Sequence, residues 1–80
     1  MDEQQWLRSF GETLKDVMEE YGYTQRELAQ ETGLSESTIS NYIKGRQMPK
    51  GPAILNIVLA LNCEFETLMY FGDQVYFERR

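Results

Sequence analysis

The side chains whose types and spacing could do chemistry lie in residues 24–46, TQRELAQETGLSESTISNYIKGR, and that chemistry is hydrogen bonding to a partner rather than bond breaking. Catalysis reads poorly. The chain has no histidine, and its one cysteine, Cys63, lacks a base partner of the usual kind. There is no metal-ligand cluster and no glycine-rich phosphate loop. Glu19 and Glu20 fall on a helix surface and read as solvated charge. No enzyme activity, cofactor or small-molecule substrate is expected.

Within 24–46 two short helical patterns meet at Gly33. Leu28 and Ala29 lie on the first, Ile39 and Tyr42 on the second. The spacing Ala29-x3-Gly33-x5-Ile39 brings the two apolar faces together at a steep angle. Ala29 is small where the helices should touch, and Gly33 can take the left-handed turn that a side chain resists. That is a helix-turn-helix, whose second helix can enter a DNA major groove.

The elements that must hold this unit fit one domain of 80 residues, with 41% hydrophobic residues to build a core. The acidic start, Met1 to Gln5, is not a signal peptide, and no apolar run nears the roughly 20 residues of a membrane span. A lone Cys63 forms no internal disulfide, so the chain reads as cytoplasmic. Net charge is −5, against the basic footprint usual for nucleic-acid binding. Its distribution is uneven. Residues 1–23 carry six acids and two bases, residues 24–50 three acids and four bases, and residues 51–80 four acids and two bases. The bases of the middle segment cluster at its exit, as Lys44, Arg46 and Lys50.

In chain order, Leu7, Phe10, Leu14, Val17 and Tyr21 form one apolar stripe, widened by Trp6 and Met18, and predict a helix over 3–21. Gly11 costs this helix about 1 kcal/mol against alanine, and allows close packing of another helix. Gly22 suits a left-handed stop. Thr24 with Glu27 forms a capping box opening a helix over 25–32. Ser35 caps a third helix running to Lys44 and stopping at Gly45. After a loop over 46–51, Pro52 suits the first position of a fourth helix. Ile54, Ile57, Val58 and Leu61 give that helix a core stripe, and Leu55 with Leu59 adds a second apolar flank, predicting the most buried helix. Asn62 ends it left-handed. A short fifth helix follows near Phe65 to Tyr70, with Phe65, Leu68 and Met69 inward. The aromatics Trp6, Phe10, Tyr21, Tyr42 and Phe65 read as core, and Cys63 as a small buried hydrophobe. Tyr23 is either core edge or phosphate contact. Val75-Tyr76-Phe77 is β-prone and either folds back on its own domain or pairs with a second copy.

The run Tyr23 to Ala29, then Gly33-Leu34-Ser35, Ser37-Thr38-Ile39-Ser40 and Gly45-Arg46-x-x-Pro49, resembles the phage repressor and Cro type of helix-turn-helix protein, also called the xenobiotic-response-element type. The likeness continues through Ile54–Leu61 and Phe65–Leu68, so it covers roughly residues 7–70 with every spacing kept. It implies an all-α fold of five helices, lambda-repressor-like, and a bacterial or phage transcription regulator. It also implies a DNA-binding domain over 1–71 and a C-terminal tail over 72–80. Residue by residue, it places Gln25 where relatives hold a phosphate, at a helix N-terminus that attracts anions. It sets Ser35, Glu36, Ser37, Ser40 and Asn41 on the exposed side of helix three. Glu36, Ser37 and Asn41 match base-edge positions, with Ser40 beside them. An Asn can pair bidentately with adenine, a Glu can accept from cytosine N4, and Ser reads permissively. Ser35, Lys44, Arg46 and Lys50 suit phosphates. Met18 stands where relatives often carry arginine, and Ile43 where they often carry glutamate.

The expected partner is double-stranded DNA, read at a near-palindromic operator by a homodimer, since one recognition helix covers only a few base pairs and two heads set about 34 Å apart multiply specificity. Tyr70, Phe71, Val75, Tyr76 and Phe77 are the candidate dimer surface. Repression is the expected output. Two rival readings are an antitoxin, binding a toxin through its tail, and a protein-interaction module that kept the fold and lost DNA binding.

Overall fold

The computed structural model describes residues 2–69, and among them every regular element is helical. The tail over 72–80 and its β-prone segment lie outside the described residues, as do the dimer candidates Tyr70, Phe71, Val75, Tyr76 and Phe77. Five helices follow one another: α1 (Glu3–Tyr21), α2 (Gln25–Thr32), α3 (Glu36–Ile43), α4 (Gly51–Leu61) and α5 (Phe65–Met69). α1 packs on α3 and α5, α2 on α3 and α4, and α4 on α5.

Local chemistry sets each boundary. Asp2 and Gln5 close a capping box at the start of α1, and Thr24 and Glu27 close one at α2. Gly22 (φ +76°) and Gly33 (φ +79°) turn left-handed where α1 and α2 stop. Asn62 does the same for α4 at φ +54°, a conformation Asn tolerates better than other side chains. α3 ends at Ile43, one residue short of the expected Lys44, and Gly45 (φ +71°) turns the chain back. α4 starts at Gly51, so Pro52 takes its second position rather than its first, where a missing N–H is still harmless.

The core gathers Phe10, Leu14, Leu28, Ile39, Ile57 and Leu68, all fully buried. Trp6 is half-buried and stacks on Phe10 at 5.2 Å, while Tyr42 meets Phe10 edge-on at 6.3 Å. Ile43 and Cys63 are half-buried against this core. At Gly11 the two helices come closest. A Cβ built there would sit 2.6 Å from the Tyr42 carbonyl oxygen and closer still to that of Ile43, so only glycine allows α3 to lie this tightly on α1.

Three expectations about burial fail. Tyr21 is 42% exposed, Met18 being the last buried residue of α1. Leu55 and Leu59 are 57% and 66% exposed, and Phe65 is 53% exposed. α4 is apolar nearly all round, with Asn56 its one polar side chain, but buries only the face of Ala53, Ile57 and Leu61. Residues two away from Ile57 sit roughly 200° around the helix, so Leu55 and Leu59 point away from it. Periodicity alone could not choose between the faces.

Candidate nucleic-acid interface

α3 is steadied from two sides. Ile39 and Tyr42 are buried against α1 and α2, which leaves the opposite face outward. Glu36 and Ser37 are exposed on that face, and Ser40 and Asn41 are half-buried along it. Positions 37, 41 and 44 follow helical steps of four and three, so Ser37, Asn41 and Lys44 form one row. Lys44, Arg46 and Lys50 are exposed beyond it.

The N-terminus of α3 is tightly tied. Ser35 Oγ accepts from the Thr38 N–H at 3.0 Å and donates to Thr38 Oγ1 at 2.8 Å. The hydroxyl proton is thus turned to Thr38, and Ser35 acts first as a cap. At α2, the Glu27 N–H donates to Thr24 Oγ1 at 3.1 Å, and the Leu28 N–H begins the helical ladder on the Thr24 carbonyl. The N–H groups of Gln25 and Arg26 precede that ladder, at the positive end of the helix. Gln25 is exposed and shares a shallow groove with Lys15 of α1, Thr24 and Ile43. A second groove holds Thr38, Gln47, Lys50 and Asn56.

The acids of this unit are mostly occupied elsewhere. Glu27 Oε1 accepts from the Thr24 N–H at 3.0 Å. Glu31 Oε1 and the Ala60 carbonyl both accept from the Tyr23 hydroxyl, each at 2.9 Å. Tyr23 therefore belongs to the core edge between α2 and α4. Its hydroxyl is held above the ordinary tyrosine value, first by its hydrogen bond to Glu31, then by burial and by the charges of Glu31 and Glu27. Only Glu36 carries a negative charge on the outer face of α3.

Two residues were missed by sequence reasoning. Lys15 reads as a solvated charge on the polar side of α1 and joins Gln25 only through the fold. Gln47 sits in a loop with no periodicity, yet its Oε1 accepts from Asn41 Nδ2 at 3.3 Å. No sequence signal marks either. Among the described residues no histidine, cysteine or carboxylate cluster could hold a metal, and no helix is long and apolar enough to cross a membrane. What the arrangement offers is a polar ridge with flanking cations and an N-terminal helix end, which suits an anionic, groove-bearing partner.

The HTH_3 family model, described as helix-turn-helix, matches residues 14–68. Among solved structures, the chain is similar to the restriction-modification controller protein C.AhdI from Aeromonas hydrophila, at 29% identity and a TM-score of 0.75, over 78% of this chain and 94% of the controller. It is similar in fold to an HTH_3 family transcriptional regulator from Vibrio cholerae, at 19% identity and a TM-score of 0.83, over 90% of this chain and 40% of that one. The same holds for the clp gene regulator ClgR from C. glutamicum, at 19% identity and a TM-score of 0.79, over 88% of this chain and 95% of that one. No curated protein matches the sequence.

Proposed function

The chain belongs to the HTH_3 helix-turn-helix family of DNA-binding transcription regulators, and we propose from that premise that it is a sequence-specific cytoplasmic repressor. In this reading a homodimer sets two copies of α3 into successive major grooves of a near-palindromic operator. The observation that carries it is the outward polar face of α3, held rigid by buried Ile39 and Tyr42. Glu36, Ser37, Ser40 and Asn41 read base edges. Lys44, Arg46 and Lys50, with the α2 end at Gln25 and the capped Ser35, hold phosphates. The likeness to a restriction-modification controller, 94% of whose chain is matched, supports reading 1–71 as a DNA-binding domain followed by the segment 72–80.

Self-association has its own support. Leu55 and Phe65 stand exposed beside half-buried Ile54 and Val58 around a shallow apolar groove, and Leu59 is exposed on the same helix. Residues 51–63 contain no charged side chain, so two chains of net −5 can meet there with little repulsion. Tyr70, Phe71, Val75, Tyr76 and Phe77, which follow α5 in the sequence, are proposed as further dimer contacts.

Selection from a random duplex pool, followed by gel shift of the enriched sequence at low and moderate salt, tests this function. A regulator enriches a two-fold symmetric site and retards it. The −5 charge favours a second reading, a protein-interaction module. Absence of any retarded species at low salt would count against the regulator and favour that module.

A further inference from the structure

We infer that Gln47 is a positioning residue for base recognition: it holds the amide of Asn41 in place at the groove face and so sharpens which base the α3 row prefers. The inference rests on the reading of Asn41 as a base contact and names the group that controls it.

The geometry is specific about roles. Asn41 Nδ2 donates to Gln47 Oε1 at 3.3 Å. An Asn amide has two donor protons on nitrogen and an acceptor oxygen. Pairing with adenine uses the oxygen to accept from N6 and one Nδ2 proton to donate to N7. Gln47 takes the other Nδ2 proton. The three groups of Asn41 are then all satisfied at once, and the opposite amide orientation keeps this bond only if Gln47 turns its own amide as well. A freely turning amide could present either end to the groove and would discriminate less.

The loop is built to hold Gln47 there. The Arg46 N–H donates to the Asn41 carbonyl at 2.8 Å, which ties the residue before Gln47 to the same turn of α3. Gly45 makes this return with φ +71°, and its N–H donates to the Tyr42 carbonyl at 3.1 Å. The Gln47 side chain thus spans only from a backbone anchor to the neighbouring amide. Ser37 and Ser40 lack such a partner among the described residues, in keeping with their permissive chemistry.

The test uses the full chain and fluorescent duplexes carrying the site selected by the unmodified protein, with each base pair replaced in turn. Asn41→Ala should lower discrimination at one base pair of each half-site by about 5- to 150-fold. Gln47→Met keeps length and removes the acceptor, and should lower discrimination at that same pair by about two- to tenfold. Gln47→Glu keeps an oxygen acceptor and should restore the preference there, while binding all duplexes more weakly because it adds negative charge near phosphates. The Asn41→Ala/Gln47→Met double variant should match Asn41→Ala alone. If Asn41→Ala leaves the preferred site unchanged, the base reading of Asn41 fails and the inference falls with it. If Asn41→Ala changes the site and Gln47→Met does not, Asn41 reads a base but Gln47 does not position it. Loss of preference at a different pair in Gln47→Met would mean that Gln47 reads a base itself, which also overturns the positioning role.

Discussion

Replacing Gly11 by alanine puts the packing of the reading unit under a direct test. In a helix with free surroundings, Gly→Ala stabilises by about 1 kcal/mol. Here the new Cβ would lie 2.6 Å from the Tyr42 carbonyl oxygen and nearer still to that of Ile43. Contacts below 3.0 Å essentially do not occur, so α3 must withdraw from α1 by at least about 0.4 Å. Both obstacles are backbone atoms and cannot swing aside. Overpacking of this kind costs about 1–3 kcal/mol, and the rigid neighbours place it at the upper end. Set against the propensity gain, the net loss is about 2 kcal/mol. For a domain of this size that lowers Tm by roughly 8–16 °C, read by circular dichroism at 222 nm. A Tm equal to or above that of the unmodified chain would refute the close approach of α1 and α3.

Other consequences are equally open to measurement. Lys44→Ala and Arg46→Ala should weaken binding to all duplexes alike and flatten the slope of log affinity against log salt by about 0.9 for each lost phosphate contact, whereas sequence-dependent losses would contradict their placement. Leu59→Glu, at a position 66% exposed, should leave the fold intact by circular dichroism and convert the dimer to monomer in sedimentation, while a dimer that persists would move the interface off α4. Tyr42, by burial, and Tyr23, chiefly by its hydrogen bond to Glu31, have hydroxyls held above their ordinary value of about 10. Their contribution to stability is full below pH 10 and lost as pH rises through the folded-state values, so urea midpoints should hold to about pH 9.5 and fall beyond. Tyrosinate absorbance attributable to Tyr23, found by difference from Tyr23→Phe, should reach its midpoint above pH 10, and a midpoint at or below pH 10 would deny the bond to Glu31.

Much of this molecule was legible in its sequence because its local signals agree with one another. The Thr24–Glu27 box, the left-handed Gly22 and Gly33, the Ser35 cap and the left-handed Asn62 all fall where turn and cap chemistry requires them. Gly11, costly within a helix, signalled a close neighbour, and the neighbour is the end of α3. What escaped was tertiary. An α4 with a single polar side chain, Asn56, hardly declares which face is inward, so Leu55 and Leu59 were assigned to the wrong environment. Tyr21 and Phe65 fit helical stripes, yet they stand 42% and 53% exposed at the last turn of α1 and the first position of α5. On the outer face of α3, residue type and spacing picked out Ser37, Asn41 and Lys44, but Gln47 meets Asn41, and Lys15 meets the groove of Gln25, through loop and interhelical geometry that has no period to read.

The central claim is that the outer face of α3 meets duplex DNA, and an amide chemical-shift titration of the isotope-labelled chain with its selected duplex tests it most directly. The account predicts shifts concentrated in residues 36–47 and at the α2 start around Gln25. Perturbation confined to Leu55, Leu59 and Phe65, with residues 36–47 unmoved at saturating duplex, would contradict it.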